Sequence, residues 1–308
     1  MKKVFIDGSA GTTGLRIYER LSAREDIQLL ILPEDKRKDV AARKEMLNQA
    51  DVAFLCLPDD AAREAAAMVE NPNTVVIDAS TAHRTLPDWA YGFPELSKAH
   101  EEKLLQSKRI ANPGCHASGF IALVYPLIEA GLLDKETLLT CHSITGYSGG
   151  GKKMIADYEG EEKDPLLNAP RQYGLTQQHK HLKEMKAVTG LENAPAFSPI
   201  VSDFYSGMTV TVPLFASQIK GSAEDIKKLY AEKYQGEIVQ YKESVDEGGF
   251  ISGAALSGKD TMWITVAGNE ERILLVACYD NLGKGASGAA IECMNIAIGA
   301  ERTKGLVL

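Results

Sequence analysis

No run of this 308-residue chain stays apolar for the length of a membrane span, so the sequence predicts no membrane segment. A basic surplus is also missing. Lys and Arg number 34 against 42 Asp and Glu, and the formal charge of −8 argues against a nucleic-acid surface. An anionic ligand would therefore need its own local cluster of cations. The opening "MKKVFIDGSAG" lacks the long apolar core and small-residue cleavage site of a secretory signal. Cysteines are few, five in all, odd in number and without framework spacing. That predicts reduced thiols and a cytoplasmic setting rather than a disulfide scaffold. His179 and His181 have a metal-ligand spacing, but no neighbouring Cys, His or Asp cluster completes a set, so no metal is expected.

What is present describes a globular protein of one large domain or two, with 44% hydrophobic and 25% charged residues. The stretch "KKVFIDGSAGTTGLRIYERL" reads as strand, glycine turn and helix. Gly8, Gly11 and Gly14 follow the apolar run at G-x-x-G-x-x-G spacing, with Ser9, Thr12 and Thr13 between them. Small residues there let backbone approach a pyrophosphate at a helix N-terminus. Further apolar runs, "IQLLIL", "ADVAFLCLP" and "NTVVIDAS", alternate with helix-compatible segments, which predicts a parallel, doubly wound sheet of Rossmann type. Lys36 and Arg37, after the second run, are candidates for the 2′-phosphate of NADP, although a charge run is as readily a solvated loop. Pro58 and Ser80 fall just beyond strand ends, the edge where such sheets bind ligands, and are read as cofactor contacts. Arg84 is a candidate for a phosphate or carboxylate, and His83 reads more readily as an exposed loop residue.

The second half changes character. "TLLTCHSITGYSGGG" reads as a strand entering a glycine-rich loop, Met208 to Leu214 alternate like a half-exposed strand, and "DTMWITVAGNEERILLVACYD" reads as a hairpin. These predict an α+β domain with a largely antiparallel sheet. A closing helix in "NLGKGASGAAIECMNIAIGA" is expected to return to the first domain. The expected division is therefore 1–113 with 285–308 for the dinucleotide and 114–284 for catalysis, substrate and oligomerisation.

In "ANPGCHASGF" a Pro-Gly turn sets Cys115 at the mouth of a helix, among unpaired N–H groups whose field favours a thiolate. Cys56, Cys141, Cys278 and Cys293 fall within apolar runs and read as packing residues. His179 or His181 is the candidate proton-transfer partner. Thiolate, imidazole and nicotinamide together describe one chemistry. The sulfur attacks an activated acyl group, and hydride reduces the thioester to an aldehyde.

The signature "NPGCHASGFIALVYP", with "GSAGTTG", "VIDASTAHR", "GYSGGGK", "HKHLKE" and "DNLGKGASGAAIECMN" in order, resembles the N-acetyl-gamma-glutamyl-phosphate reductases of arginine biosynthesis, in their shorter subgroup within the semialdehyde dehydrogenases. His116 stands where that family usually has an aromatic residue, and Ser118 where it has threonine. The resemblance implies Cys115 as nucleophile, His179 ahead of His181 as acid/base, NADPH as cofactor and a homo-oligomer, dimer or tetramer. It implies a small acyl-phosphate substrate. Asn112 belongs to the signature, and Ser148 and Arg171 are candidates to hold the substrate carboxylate or phosphate, with Gly149 assigned to the cofactor. Rival readings are another acyl-phosphate reductase, such as aspartate-semialdehyde dehydrogenase, or a non-catalytic NADP-binding redox sensor.

Overall fold

The computed structural model describes residues 1–308. In chain order the first elements are β1 (Lys2–Asp7), α1 (Thr12–Ser22), β2 (Ile27–Leu30), α2 (Val40–Gln49), β3 (Val52–Leu55) and α3 (Asp59–Ala67). They continue with β4 (Val75–Asp78), β5 (Ala90–Tyr91), α4 (Lys98–Gln106), β6 (Arg109–Ala111) and α5 (Cys115–Glu129). Next come β7 (Thr140–Gly146), α6 (Gly151–Glu159), β8 (Arg171–Gln172), α7 (His181–Thr189), β9 (Ala196–Ser202) and β10 (Met208–Phe215). The last are α8 (Ala223–Lys233), β11 (Val239–Tyr241), β12 (Met262–Gly268), β13 (Arg272–Tyr279) and α9 (Gly288–Ile298). The chain divides into two compact units, residues 1–113 with 286–306 and residues 114–285 with 307–308. No helix is long and apolar enough to cross a membrane.

In the first unit six strands pair in the order β2-β1-β3-β4-β6-β5, every pair parallel. Alternation along β1 sends Val4 and Ile6 to one face and Phe5 to the other, and all three are buried. The first face packs on Ile17 and Leu21 of α1 and on Ile291 and Met294 of α9. The second packs on Leu47 of α2 and Ala65 of α3. Strand order reverses at β1 and β3, which opens a crevice beyond their carboxyl ends. Gly8 turns the chain there with φ +89°, and a Cβ on it would overlap the Cys56 carbonyl, so only glycine fits.

The second unit holds a seven-stranded sheet, β11-β12-β13-β10-β7-β9-β8. It is mostly antiparallel, with β11–β12 and β7–β9 as its parallel pairs. The expected hairpin is β12 and β13, closed at Gly268 with φ +103°. The buried helix α5 comes so close to this sheet that a Cβ on Gly119 would lie 2.6 Å from the Tyr279 hydroxyl. Pro126 within α5 has no N–H for the Ala122 carbonyl, and the Tyr234 hydroxyl donates to that carbonyl at 2.6 Å instead. The opposite sheet face leaves Ile144 and Leu274 exposed.

Candidate active site

The glycine turn of the first unit ends at Gly11, which starts α1 with no side-chain cap. First-turn N–H groups of such a helix lack intrahelical partners, and the Thr12 hydroxyl beside them is buried without a hydrogen bond. A Cβ on Gly14 would lie 2.5 Å from the Gly8 carbonyl oxygen, so the helix starts directly on the turn. Beside it lies a cavity of about 570 Å³ lined by Gly8, Ser9, Leu32, Arg37, Lys38 and Arg43, among others. A bare helix N-terminus, an unsatisfied buried hydroxyl and a cavity of this size fit the pyrophosphate and adenosine half of a nicotinamide dinucleotide. Lys36 is exposed and Arg37 lies 3.9 Å from Glu34.

Arg43 was not among the residues expected here. Its Nε and Nη2 donate to both carboxylate oxygens of Asp7 at 2.8–3.2 Å, and both residues are buried. The available signal was an aspartate closing an apolar strand, where an unpaired charge would be costly. Pro58 is the N-cap of α3. Ser80 is fixed by Asp78, which accepts from the Ser80 backbone at 2.9 Å and its hydroxyl at 2.7 Å. His83, expected in an exposed loop, is buried with Nδ1 2.6 Å from Asp78 and its ring stacked on Trp89 at 3.9 Å. Arg84 is buried as well and donates to the backbone carbonyls of Asn112 at 2.9 Å and Ala79 at 3.0 Å. Asn112 donates through Nδ2 to Ala286 at 3.0 Å, while its buried Oδ1 has no partner.

In the second unit Cys115 is the first residue of α5, and the N-cap Gly114 carries no side-chain cap. Its backbone is held from several sides. Gly114 N–H donates to Glu184 at 2.8 Å, the Ser118 hydroxyl donates back to the Gly114 carbonyl at 3.0 Å, and the Tyr279 hydroxyl donates to the Cys115 carbonyl at 2.5 Å. Any Cβ on Gly285 would lie 3.1 Å from that of Cys115, a spacing that favours glycine. Burial pushes three of the other thiols up: Cys56 to about 12, with Asp78 and Asp7 adding to it, Cys278 to about 11, and Cys141 further.

Around the start of α5 stands a cluster of rings. His116 has ring centroids 5.7 Å from both His179 and His181, 6.2 Å from Tyr173 and 5.4 Å from Phe197. Its Nδ1 lies 2.7 Å from the Ser143 hydroxyl and its Nε2 2.7 Å from the Tyr173 hydroxyl. Burial, helped by His179, holds the His116 ring down at about 3, so it is neutral near pH 7. His179 is shifted down by burial and by Lys180. Its Nδ1 accepts the His181 N–H at 3.2 Å, which puts the proton of the neutral ring on Nε2. His181 is buried at the start of α7.

The remaining candidates lie elsewhere in this unit. Ser148 is buried and accepts from Asn281 at 3.0 Å, and the exposed Gly149 follows it in a turn that runs into α6. Arg171 is exposed on β8 beside Asp157, Glu162 and Asp164 around a shallow cavity of about 460 Å³. No group of three His, Cys, Asp or Glu is placed to hold a metal.

A family model described as the semialdehyde dehydrogenase NAD binding domain matches residues 3–104, and one described as the semialdehyde dehydrogenase dimerisation domain matches 115–281. The chain is 47% identical over 308 residues to the N-acetyl-gamma-glutamyl-phosphate reductase of Sinorhizobium medicae (strain WSM419), covering 97% of this chain and 99% of that one. It is 44% identical over 318 residues to N-acetyl-gamma-glutamyl-phosphate reductase 2 of Nostoc sp. (strain PCC 7120 / SAG 25.82 / UTEX 2576), covering 99% of each. Among solved structures, aspartate semialdehyde dehydrogenase II of Vibrio cholerae, complexed with ASA, matches with a TM-score of 0.73 at 17% identity over 97% of this chain and 98% of that one. Aspartate semialdehyde dehydrogenase from Francisella tularensis matches with a TM-score of 0.71 at 14% identity over 96% and 99%. Those two are likenesses of fold. The nucleotide cradle, the helix-mounted cysteine and the close full-length relatives meet in one conclusion: the chain belongs to the N-acetyl-gamma-glutamyl-phosphate reductases, oxidoreductases built on the two domains of the semialdehyde dehydrogenases.

Proposed function

We propose that the protein reduces N-acetyl-gamma-glutamyl phosphate to N-acetyl-glutamate semialdehyde and phosphate, with NADPH, through a thioester on Cys115. The observation that carries this reading is the place of Cys115, half-exposed at the uncapped start of α5, while Cys141, Cys278 and Cys293 are buried and Cys56, also half-exposed, stands at the end of β3 with its thiol pushed up by burial and by Asp78 and Asp7. Attack of the sulfur on the acyl carbon forms the C–S bond and breaks the C–O bond to phosphate, which takes up from solvent the one proton the overall reduction consumes. First-turn N–H groups of α5 are the donors for the tetrahedral oxygen, a contribution of about 2.7–4 kcal/mol per donor where one has been removed. His179 presents Nε2–H and so acts as the hydrogen-bond donor to the acyl oxygen, with His181 fixing its tautomer. The nicotinamide supplies the hydride that reduces the thioester, and collapse of the resulting alkoxide returns the thiolate and releases the aldehyde.

The glycine turn, Ser9, Thr12 and Thr13 are read as the pyrophosphate site and Arg37 with Lys38 as neighbours of the 2′-phosphate. In the cell the protein is read as a cytoplasmic homo-oligomer, with the exposed Ile144 and Leu274 face as its contact. The reverse reaction tests the function. N-acetyl-glutamate semialdehyde, phosphate and NADP should yield reduced cofactor in wild type and Cys56→Ala but not in Cys115→Ala. Faster turnover of aspartate semialdehyde, or turnover surviving in Cys115→Ala, contradicts the reading. Light scattering at a monomer mass would contradict the oligomer.

A further inference from the structure

Arg43 reaches the nucleotide cavity from α2 with one edge of its guanidinium already engaged. Nε and Nη2 donate to the two Asp7 oxygens at 2.8–3.2 Å. Nη1 donates to nothing in the protein, yet it is not sealed away as a buried orphan. The side chain keeps 11% of its surface, and it lines the cavity of about 570 Å³ beside the glycine turn. Two N–H donors of a fixed guanidinium therefore stand at the wall of the space read as the adenosine site.

The other cations on this wall are held differently. Arg37 and Lys38 are exposed on the loop after β2, where Glu34 and Asp35 line the same cavity and offset their charge. Long side chains in water lose rotamer freedom when they close on a ligand. Arg43 loses little, because Asp7 has already fixed it. Of the carboxylates on the wall only Asp7 is buried, and both of its oxygens are engaged by Arg43. What the pair offers is direction rather than net charge. A phosphate ester can accept both donors of Nη1, and a ribose hydroxyl in its place accepts far less. We propose that Arg43, held by Asp7, is the residue that recognises the cofactor's 2′-phosphate and so sets the preference for NADP over NAD. This rests on the reading of the cofactor as NADPH. Arg37 and Lys38 then add a screened attraction from the loop.

The test is calorimetric titration of the full chain with adenosine 2′,5′-bisphosphate and with 5′-AMP, which differ only in the 2′-phosphate. Wild type should bind the bisphosphate more tightly. Arg43→Met made together with Asp7→Asn leaves no lone buried charge. It should weaken the bisphosphate about tenfold or more, the scale of a hydrogen bond to a charged group, and keep 5′-AMP within about twofold. Asp7→Asn alone retains an oxygen that accepts from Arg43 and removes the negative charge beside it, so the bisphosphate preference should rise by a few-fold. That single variant decides the matter if the double one fails to fold. A preference that survives in the double variant, a matching loss of 5′-AMP, or no rise in Asp7→Asn overturns the assignment of Arg43. Wild type binding both ligands equally would overturn the NADPH reading, and binding neither would overturn the dinucleotide reading of the cavity. The assignment falls with either.

Discussion

The two units hold their polar residues by opposite means. In the first, buried carboxylates are each held by a side-chain partner: Arg43 is bidentate to Asp7, and His83 Nδ1 lies 2.6 Å from Asp78. In the second, the ring cluster at the start of α5 is built on a neutral imidazole, His116 between Ser143 and Tyr173, while the Glu184 carboxylate accepts the Gly114 N–H. The lesson concerns what each loop must face. A turn that receives a dinucleotide needs rigid backbone, and buried ion pairs fix it with strict geometry. A sulfur read as a nucleophile needs surroundings that favour the thiolate, and the uncapped first turn of α5 is one such feature.

The largest effect expected is on turnover. Cys115→Ala should lower kcat by about six orders of magnitude, the scale seen when a nucleophile is removed from a hydrolase, and Cys56→Ala should change it little. An equal loss from Cys56→Ala would erase the contrast. Next in size is the ion pair. Arg43→Met leaves the Asp7 carboxylate buried without a partner and should cost about 3–5 kcal/mol, read from urea unfolding. Adding Asp7→Asn should return part of that loss. A single Arg43→Met variant as stable as wild type would mean that the pair does not hold the turn.

A smaller effect sharpens the neutral side. His116 sits at about 3 in the folded protein against 6.5 in an exposed imidazole. Between those values the unfolded chain binds the proton and the folded one does not. Stability attributable to this residue is therefore intact above pH 6.5 and falls as the pH drops, by at most about 1.4 kcal/mol per unit. His116→Gln should flatten the loss of stability between pH 6.5 and 5, and an unchanged slope would mean that His116 charges in the folded state. The smallest effect belongs to the exposed cations. Arg37→Ala with Lys38→Ala should erode discrimination between NADP and NAD by a few-fold, since exposed charge pairs are worth about 0–1 kcal/mol. Unchanged discrimination would return both to a solvated loop.

The fold class was legible because its signals are local. The runs around Val52 and Val75 are buried on both faces, and Met208 to Leu214 alternate as a strand half covered by α5. Strands β5, β8 and β11 left no trace, since two or three residues carry no period and are ordered by their neighbours. The glycine run at 146–151 looked like an open loop, yet it forms a tight turn running straight into α6, which the apolar contact of Tyr147 with Tyr158 stabilises. At the candidate site the Pro-Gly turn announced a helix start at Cys115. Arg43, Tyr173, Glu184 and Gly285 were invisible because each reaches its place from a distant segment. His83 misled for a related reason. Its loop sequence is polar, but Asp78 and Trp89 bury the ring.

The most direct test is to incubate the enzyme with N-acetyl-glutamate semialdehyde and NADP without phosphate, then map the acyl group by mass spectrometry. The peptide bearing Cys115 should gain one N-acetylglutamyl mass, which phosphate then removes. Reduced cofactor formed with no adduct on that peptide, or with the adduct on another cysteine, would contradict covalent catalysis at Cys115.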